Sequence, residues 1–141
     1  MKIIVVSGAR SKIGKTQLSR ALCQLLPDAV RVKIGHHPRR PGGDPNLYPM
    51  GTSLPTIMAD HGDAHFLIIE SNRILEEMTP DCTIYLEAED PKPSAEVARK
   101  KADIIRGETV SDLKISAISE RIELDETVVR KIAELSGALP E

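Results

Sequence analysis

The chain has 141 residues, 40% of them apolar, and a formal net charge of −2, which suits one domain burying about two-thirds of its unfolded surface. That charge removes any general pull toward nucleic acid or anionic membranes. With no Trp, two Tyr and one Phe, base stacking on aromatic platforms is a poor mode of recognition.

No segment reaches transmembrane length, and the N-terminal apolar run is too short for a signal-peptide core. Cys23 and Cys82 stand alone, with no Cys-x-x-Cys. Cys23 falls among the apolar residues of the first helix and is read as a buried thiol. A cytoplasmic chain is expected.

In chain order, Lys2-Ile3-Ile4-Val5-Val6-Ser7-Gly8 reads as a buried strand. A glycine-flanked loop follows and ends in Gly14-Lys15-Thr16. Leu18, Ala21, Leu22, Leu25 and Leu26 then recur at helical spacing until Pro27-Asp28. Ala29 to Ile34 is a second strand. Gly35 to Ser53 has no periodicity, and its Pro, Gly, His and Arg content reads as a loop long for a domain of this size. Ser53 is placed to cap a short helix over 54–59, closed by Gly62. His65 to Glu70 is a third strand, apolar almost throughout, as a strand covered on both faces should be.

Asn72 to Met78 reads as a short helix and Cys82 to Glu87 as a fourth strand. Ser94 caps a helix through Ala102, and Asp103 to Arg106 makes a fifth strand. Residues 110–122 mix both periodicities and are read as helix. Asp125 is the expected N-cap of a last helix carrying Leu124, Val128, Val129, Ile132 and Leu135, with Gly137 at its C-terminus. Strands and helices alternating through short connections predict an α/β fold of three layers, a mainly parallel sheet with helices on both faces. Residues 1–141 are read as one domain, with 107–141 as a C-terminal helical segment.

A strand, a glycine-flanked loop ending in Gly-Lys-Thr and a helix, in that order, are the parts of a P-loop, or Walker A motif. Gly14 permits close backbone approach to an anion, and the following N–H groups point at it from the helix N-terminus. Lys15 is placed to reach β- and γ-phosphate oxygens, and the Thr16 hydroxyl to take one Mg²⁺ position. Gly8, Ala9, Arg10, Ser11, Lys12, Ile13, Gly14, Lys15, Thr16 and Gln17 are the expected nucleotide contacts.

In a doubly wound fold the loops after the first three strands converge at their carboxyl ends. Glu70 there is the expected holder of Mg²⁺ or its water shell, with Asp44 as a second acidic candidate. Arg39 and Arg40 are candidate phosphate contacts. Lys15 and Glu70 are the expected catalytic pair, acting by position and charge. No residue is an evident general base, which predicts slow turnover. His36 and His37 lack spaced partners for a closed transition-metal site.

Five residues separate Gly8 from Gly14, one more than the common spacing. The longer loop resembles that of the dethiobiotin-synthetase, UreG/HypB and MobB branch of P-loop proteins, with Arg10 where some relatives carry a signature lysine. Val32-Lys33-Ile34-Gly35-His36-His37, then Pro41-Gly42-Gly43-Asp44-Pro45-Asn46 and Gly51-Thr52, resemble the second-strand loop of the MobB family. The resemblance spans about residues 2–75. It implies a Mg²⁺-dependent GTP-binding protein with weak hydrolysis. It also implies a homodimer, working beside the guanylyltransferase of molybdenum-cofactor maturation.

The chain departs from the family at Gly43, where the family has lysine, and at Lys12, where a small residue is usual. Glu70-Ser71-Asn72 is closer to the UreG/HypB metallocentre GTPases. No Asn-Lys-x-Asp follows a late strand, so guanine preference rests on the resemblance alone. Three other readings share the loop. They are an ATP-dependent small-molecule kinase or ligase of the dethiobiotin-synthetase type, a UreG/HypB-like GTPase, and a non-catalytic nucleotide-dependent scaffold. A helix-turn-helix over 115–135 is discounted, because Glu120, Glu123, Asp125 and Glu126 would repel phosphate.

Overall fold

The computed structural model describes residues 1–35 and 45–141. Its central feature is a six-stranded sheet built from β1 (Lys2–Gly8), β2 (Ala29–Gly35), β3 (Leu47–Pro49), β4 (Phe66–Glu70), β5 (Cys82–Leu86) and β6 (Ile104–Ile105). The spatial order is β3-β2-β4-β1-β5-β6, and every pairing is parallel. β1 and β4 are largely Ile, Leu and Val, and β4 and β5 are buried along their whole length, because both of their faces are covered.

Alternate residues feed two separate cores. Ile4, Val6, Phe66, Ile68 and Ile84 pack with Leu18 and Leu22 of α1 (Lys15–Leu25). The same core takes Ile115, Ile118 and Ile122 of α4 (Asp112–Ile122), and Val129 and Ile132 of α5 (Glu126–Leu135). On the other face, Ile3, Val5, Leu67, Ile69 and Tyr85 meet Ile57 of α2 (Leu54–Asp60) and Ala95 and Ala98 of α3 (Ala95–Lys101). Helices therefore cover both faces, as the alternating pattern predicts.

The helix over 110–122 is present, and Ser111 caps it by accepting the Lys114 N–H at 3.2 Å. Ser53 likewise caps α2 through the Thr56 N–H.

Several expectations need correction. The Gly35–Ser53 stretch is not all loop, since Leu47–Pro49 pairs in parallel with Lys33–Gly35. Three residues are too few to show a period, and pairing to β2 decides their conformation. The expected helix over 72–78 is a single 3-10 turn, Arg73–Glu76. The third strand begins at Phe66, and the fifth is only Ile104–Ile105.

Ser94 and Asp125 occupy N-cap positions, but neither side chain caps its helix. Cys23 is half-buried, whereas Cys82 is fully buried in β5, and burial pushes its thiol pKa well up. A second, two-stranded sheet, β7 (Thr109–Val110) with β8 (Leu139–Pro140), ties the C-terminus to the end of the main sheet. No helix among the described residues is long and apolar enough to cross a membrane.

Candidate functional site

β1 lies between β4 and β5, and the chain leaves it first toward β2 and β4, later toward β5 and β6. Its carboxyl end is thus the point where strand order reverses, and the loop 8–16 occupies it. The loop is held from three sides. The Asn72 carboxamide accepts the Gly8 N–H at 3.0 Å and donates to the Gly8 carbonyl at 2.8 Å. Arg106, just past β6, donates to the Ile13 carbonyl at 3.1 Å and to the Glu87 carbonyl at 2.7 Å. Lys92, before α3, donates its N–H to the Ala9 carbonyl and its ammonium to Ser11 Oγ, both at 2.7 Å.

The turn is tight. A Cβ at Gly8 would lie 2.5 Å from Ile13 Cγ2, so only glycine fits there. Gly14 caps α1 with φ 108, in the region that favours glycine. Lys12 also has a left-handed backbone, φ 58. This gives a physical reason for small residues at that position in the resembling loops. The strain is of order 1–3 kcal/mol.

Because α1 starts at Lys15, the N–H groups of Lys15, Thr16 and Gln17 have no partner within the helix, and the first helical bond runs from Leu18 to Gly14. The helix dipole adds a partial positive charge at the same place.

Beneath the helix start is a buried polar cluster. Glu70, 2% exposed at the end of β4, accepts Thr16 Oγ1 at 2.8 Å on one oxygen and Ser19 Oγ at 2.9 Å on the other. Arg31 of β2 forms an ion pair with Glu70 at 3.3 Å. Glu70 thus joins three elements, and it fixes the hydroxyl of Thr16 next to the unpaired amides.

Lys15 stands in the same mouth. Burial foremost, and then the ammonium of Lys33, hold its pKa below the ordinary 10.5; Glu70 opposes them, and Lys92 adds to the lowering. Arg10 and Lys12 are exposed on the loop. Although the net charge of the chain is −2, Lys15, Lys33 and Lys92 lie close enough to interact where the sheet reverses.

Of the residues read from the sequence as a site, Gly8–Thr16 and Glu70 are brought together. Gln17 is exposed on the first turn of α1. Arg39, Arg40, Asp44, His36 and His37 lie outside the described residues.

Sequence reasoning missed Ser19, Arg31, Asn72, Lys92 and Arg106. Ser19 was legible from its spacing, since residues three apart share a helix face and Thr16 was already assigned. Asn72, Lys92 and Arg106 reach the loop, and Arg31 reaches Glu70, from distant parts of the chain, and carry no local signal.

His61 and His65 are accounted for by packing. Tyr48 donates to Asp60 at 2.8 Å and lies 3.2 Å from His61 Nε2, while the His65 ring meets Phe66 edge-on. Among the described residues no group of three or more His, Cys, Asp or Glu side chains could cage a metal.

Next to the cluster, a cavity of about 420 Å³ opens at the carboxyl ends of β2 and β4. Ile34, Thr52, Ser71, Arg73, Glu76 and Glu77 are among its walls. Ser71 directly follows Glu70, so the cavity begins one residue from the buried carboxylate.

Compared with known proteins, the chain matches no family model, and no curated protein is significantly similar to it.

Proposed function

We propose that this chain is a P-loop domain that binds Mg²⁺-GTP and hydrolyses it slowly. The MobB-like reading gives it a place, as a homodimer, beside a guanylyltransferase in molybdenum-cofactor maturation. The observation that carries the nucleotide reading is the hydrogen bond from Thr16 to Glu70 under a row of unpaired amides. A hydroxyl held at a helix start by an acid on the neighbouring strand suits a phosphate-bound Mg²⁺, which keeps several waters and few protein ligands.

Thr16 Oγ1 would hold the ion, and Glu70, which accepts from that hydroxyl, would orient it. The ion supplies neutralisation of charge on the β- and γ-phosphates. Lys15 supplies a further positive charge, and the amides of 15–17 bind phosphate oxygens. Both Glu70 oxygens are engaged by Thr16 and Ser19, which commits this carboxylate to holding the two hydroxyls rather than to acting as a base on water. Catalysis then rests on position and electrostatics, which fits slow turnover.

Calorimetric titration with GTP, ATP and their diphosphates, with and without Mg²⁺, tests this reading. Mg²⁺-dependent preference for GTP is expected. Lys15→Ala should weaken binding at least about tenfold, because it removes a charge-assisted contact. Unchanged affinity in that variant would remove the P-loop assignment.

A second reading, an ATP-dependent small-molecule kinase or ligase, is favoured by the cavity beside Ser71, which offers room for an acceptor. ATP preference in the same titration puts it first.

A further inference from the structure

We propose that Lys92 is a phosphate-binding residue. Its ammonium rests on Ser11 Oγ and passes to a phosphate oxygen of a nucleotide seated in the 8–16 loop. The inference rests on the reading of that loop as a phosphate cradle, and extends it to a residue 76 positions beyond Thr16, where the Gly-Lys-Thr signature ends.

Four observations carry it. First, the main chain at Lys92 is fixed over the loop. Its N–H donates to Ala9 at 2.7 Å, its carbonyl accepts the Ala95 N–H at 2.9 Å, and Pro91 and Pro93 on either side have restricted φ. Second, the ammonium reaches back to Ser11 at 2.7 Å, in the middle of the turn.

Third, the connection from β5 to α3 carries Glu87, Glu89 and Asp90, yet among the described residues no carboxylate pairs with Lys92. Glu87 is held by Arg99 at 2.6 Å instead. A lysine among acids that settles on a neutral hydroxyl is poised for a better acceptor. A phosphate oxygen is one, since it offers the ammonium an opposite charge where Ser11 offers only a neutral oxygen.

Fourth, the side chain is exposed, so its transfer from Ser11 to a ligand needs only a change of rotamer. Lys92 is also close enough to Lys15 to help depress its pKa. The two ammonium groups therefore address one region, Lys15 from the helix start and Lys92 from the crown of the loop. Arg10, on the loop itself, is exposed and forms no ion pair with a described residue.

The test is titration of the full chain with Mg²⁺-GTP, Mg²⁺-ATP and tripolyphosphate for the wild type and three variants. Lys92→Met keeps the length of the side chain and the main-chain bond to Ala9, and should weaken binding about tenfold. Lys92→Arg should recover most of the loss. Lys100→Met removes an exposed lysine of α3 that pairs with Glu96 and belongs to no part of the loop, so binding should be unchanged.

If the wild type binds and Lys92→Met binds equally well, the inference is overturned while the cradle stands. A loss in Lys92→Met for the nucleotides but not for tripolyphosphate also overturns it, because the ammonium would then not be acting on phosphate. If the wild type binds none of the three ligands, the cradle reading itself fails and takes the inference with it.

Discussion

Burial and the nearby ammonium of Lys33 hold Lys15 below 10.5, and this fixes the sign of two pH effects. Phosphate binding needs the protonated ammonium. Affinity should therefore fall as pH rises through the lowered pKa, with proton uptake on binding in that range. Titration at pH 7 and at pH 9.5 checks the slope, and Lys15→Met should flatten it. Stability moves the other way. Between the lowered pKa and 10.5 the unfolded chain holds more protons than the folded one, so the unliganded protein gains stability as pH rises.

Glu70 gives a prediction that needs no ligand. Its side chain is 1% exposed, and that of its ion-pair partner Arg31 15%. Glu70→Ala removes the carboxylate from a half-buried arginine and from two hydroxyls, and should cost about 3 kcal/mol. Urea unfolding measures the loss, and a drop below about 1 kcal/mol would mean that water already reaches the cluster.

The element that makes the site is the turn from β1 into α1, and its shape depends on one close contact. Gly8→Ala would put a methyl group 2.5 Å from Ile13 Cγ2. Ile is β-branched and stiff at that atom, so the backbone of the loop must move rather than the side chain. Affinity for Mg²⁺-GTP should fall at least tenfold, with only about 1–2 kcal/mol lost in unfolding free energy. Wild-type affinity in Gly8→Ala would show that the loop is already remodelled on binding.

The same turn shows what was legible in the sequence. Strand, loop and helix could be read because each has a local signal, either an apolar run, a glycine pair or a helical period. Glu70 was readable as the acid ending an apolar strand. The clamps at Asn72, Lys92 and Arg106 were not, because a hydrogen bond spanning 64, 81 or 93 residues leaves no periodicity. β3 and the 3-10 turn at Arg73–Glu76 are too short for any period to register, and their neighbours decide them.

At the scale of the whole molecule, residues 107–141 complete one core, and Ile13 of the loop packs against it. α4 and α5 supply Ile115, Ile118, Val129 and Ile132 to the face that also holds Leu18 and Leu22 of α1. Gly107 donates to the Gly137 carbonyl at 3.0 Å and Leu139 to the Glu108 carbonyl at 3.2 Å, which closes the C-terminus onto the end of β6. Arg106 is the residue between those bonds and the loop.

The Arg106 guanidinium satisfies two carbonyls that no other described donor reaches, Ile13 in the turn and Glu87 after β5. Arg106→Ala leaves both without a donor and should cost about 2 kcal/mol in unfolding free energy. If the cradle is pre-shaped by this link, Mg²⁺-GTP affinity in Arg106→Ala should fall several-fold as well. Arg106→Lys, with one charged donor in place of two separated ones, should be intermediate in both readouts. Urea unfolding and calorimetry on the same preparations separate the outcomes. Stability lost together with affinity makes the C-terminal third part of the nucleotide site. Stability lost with affinity intact confines that third to the core, and leaves Asn72 and Lys92 as the groups that shape the turn.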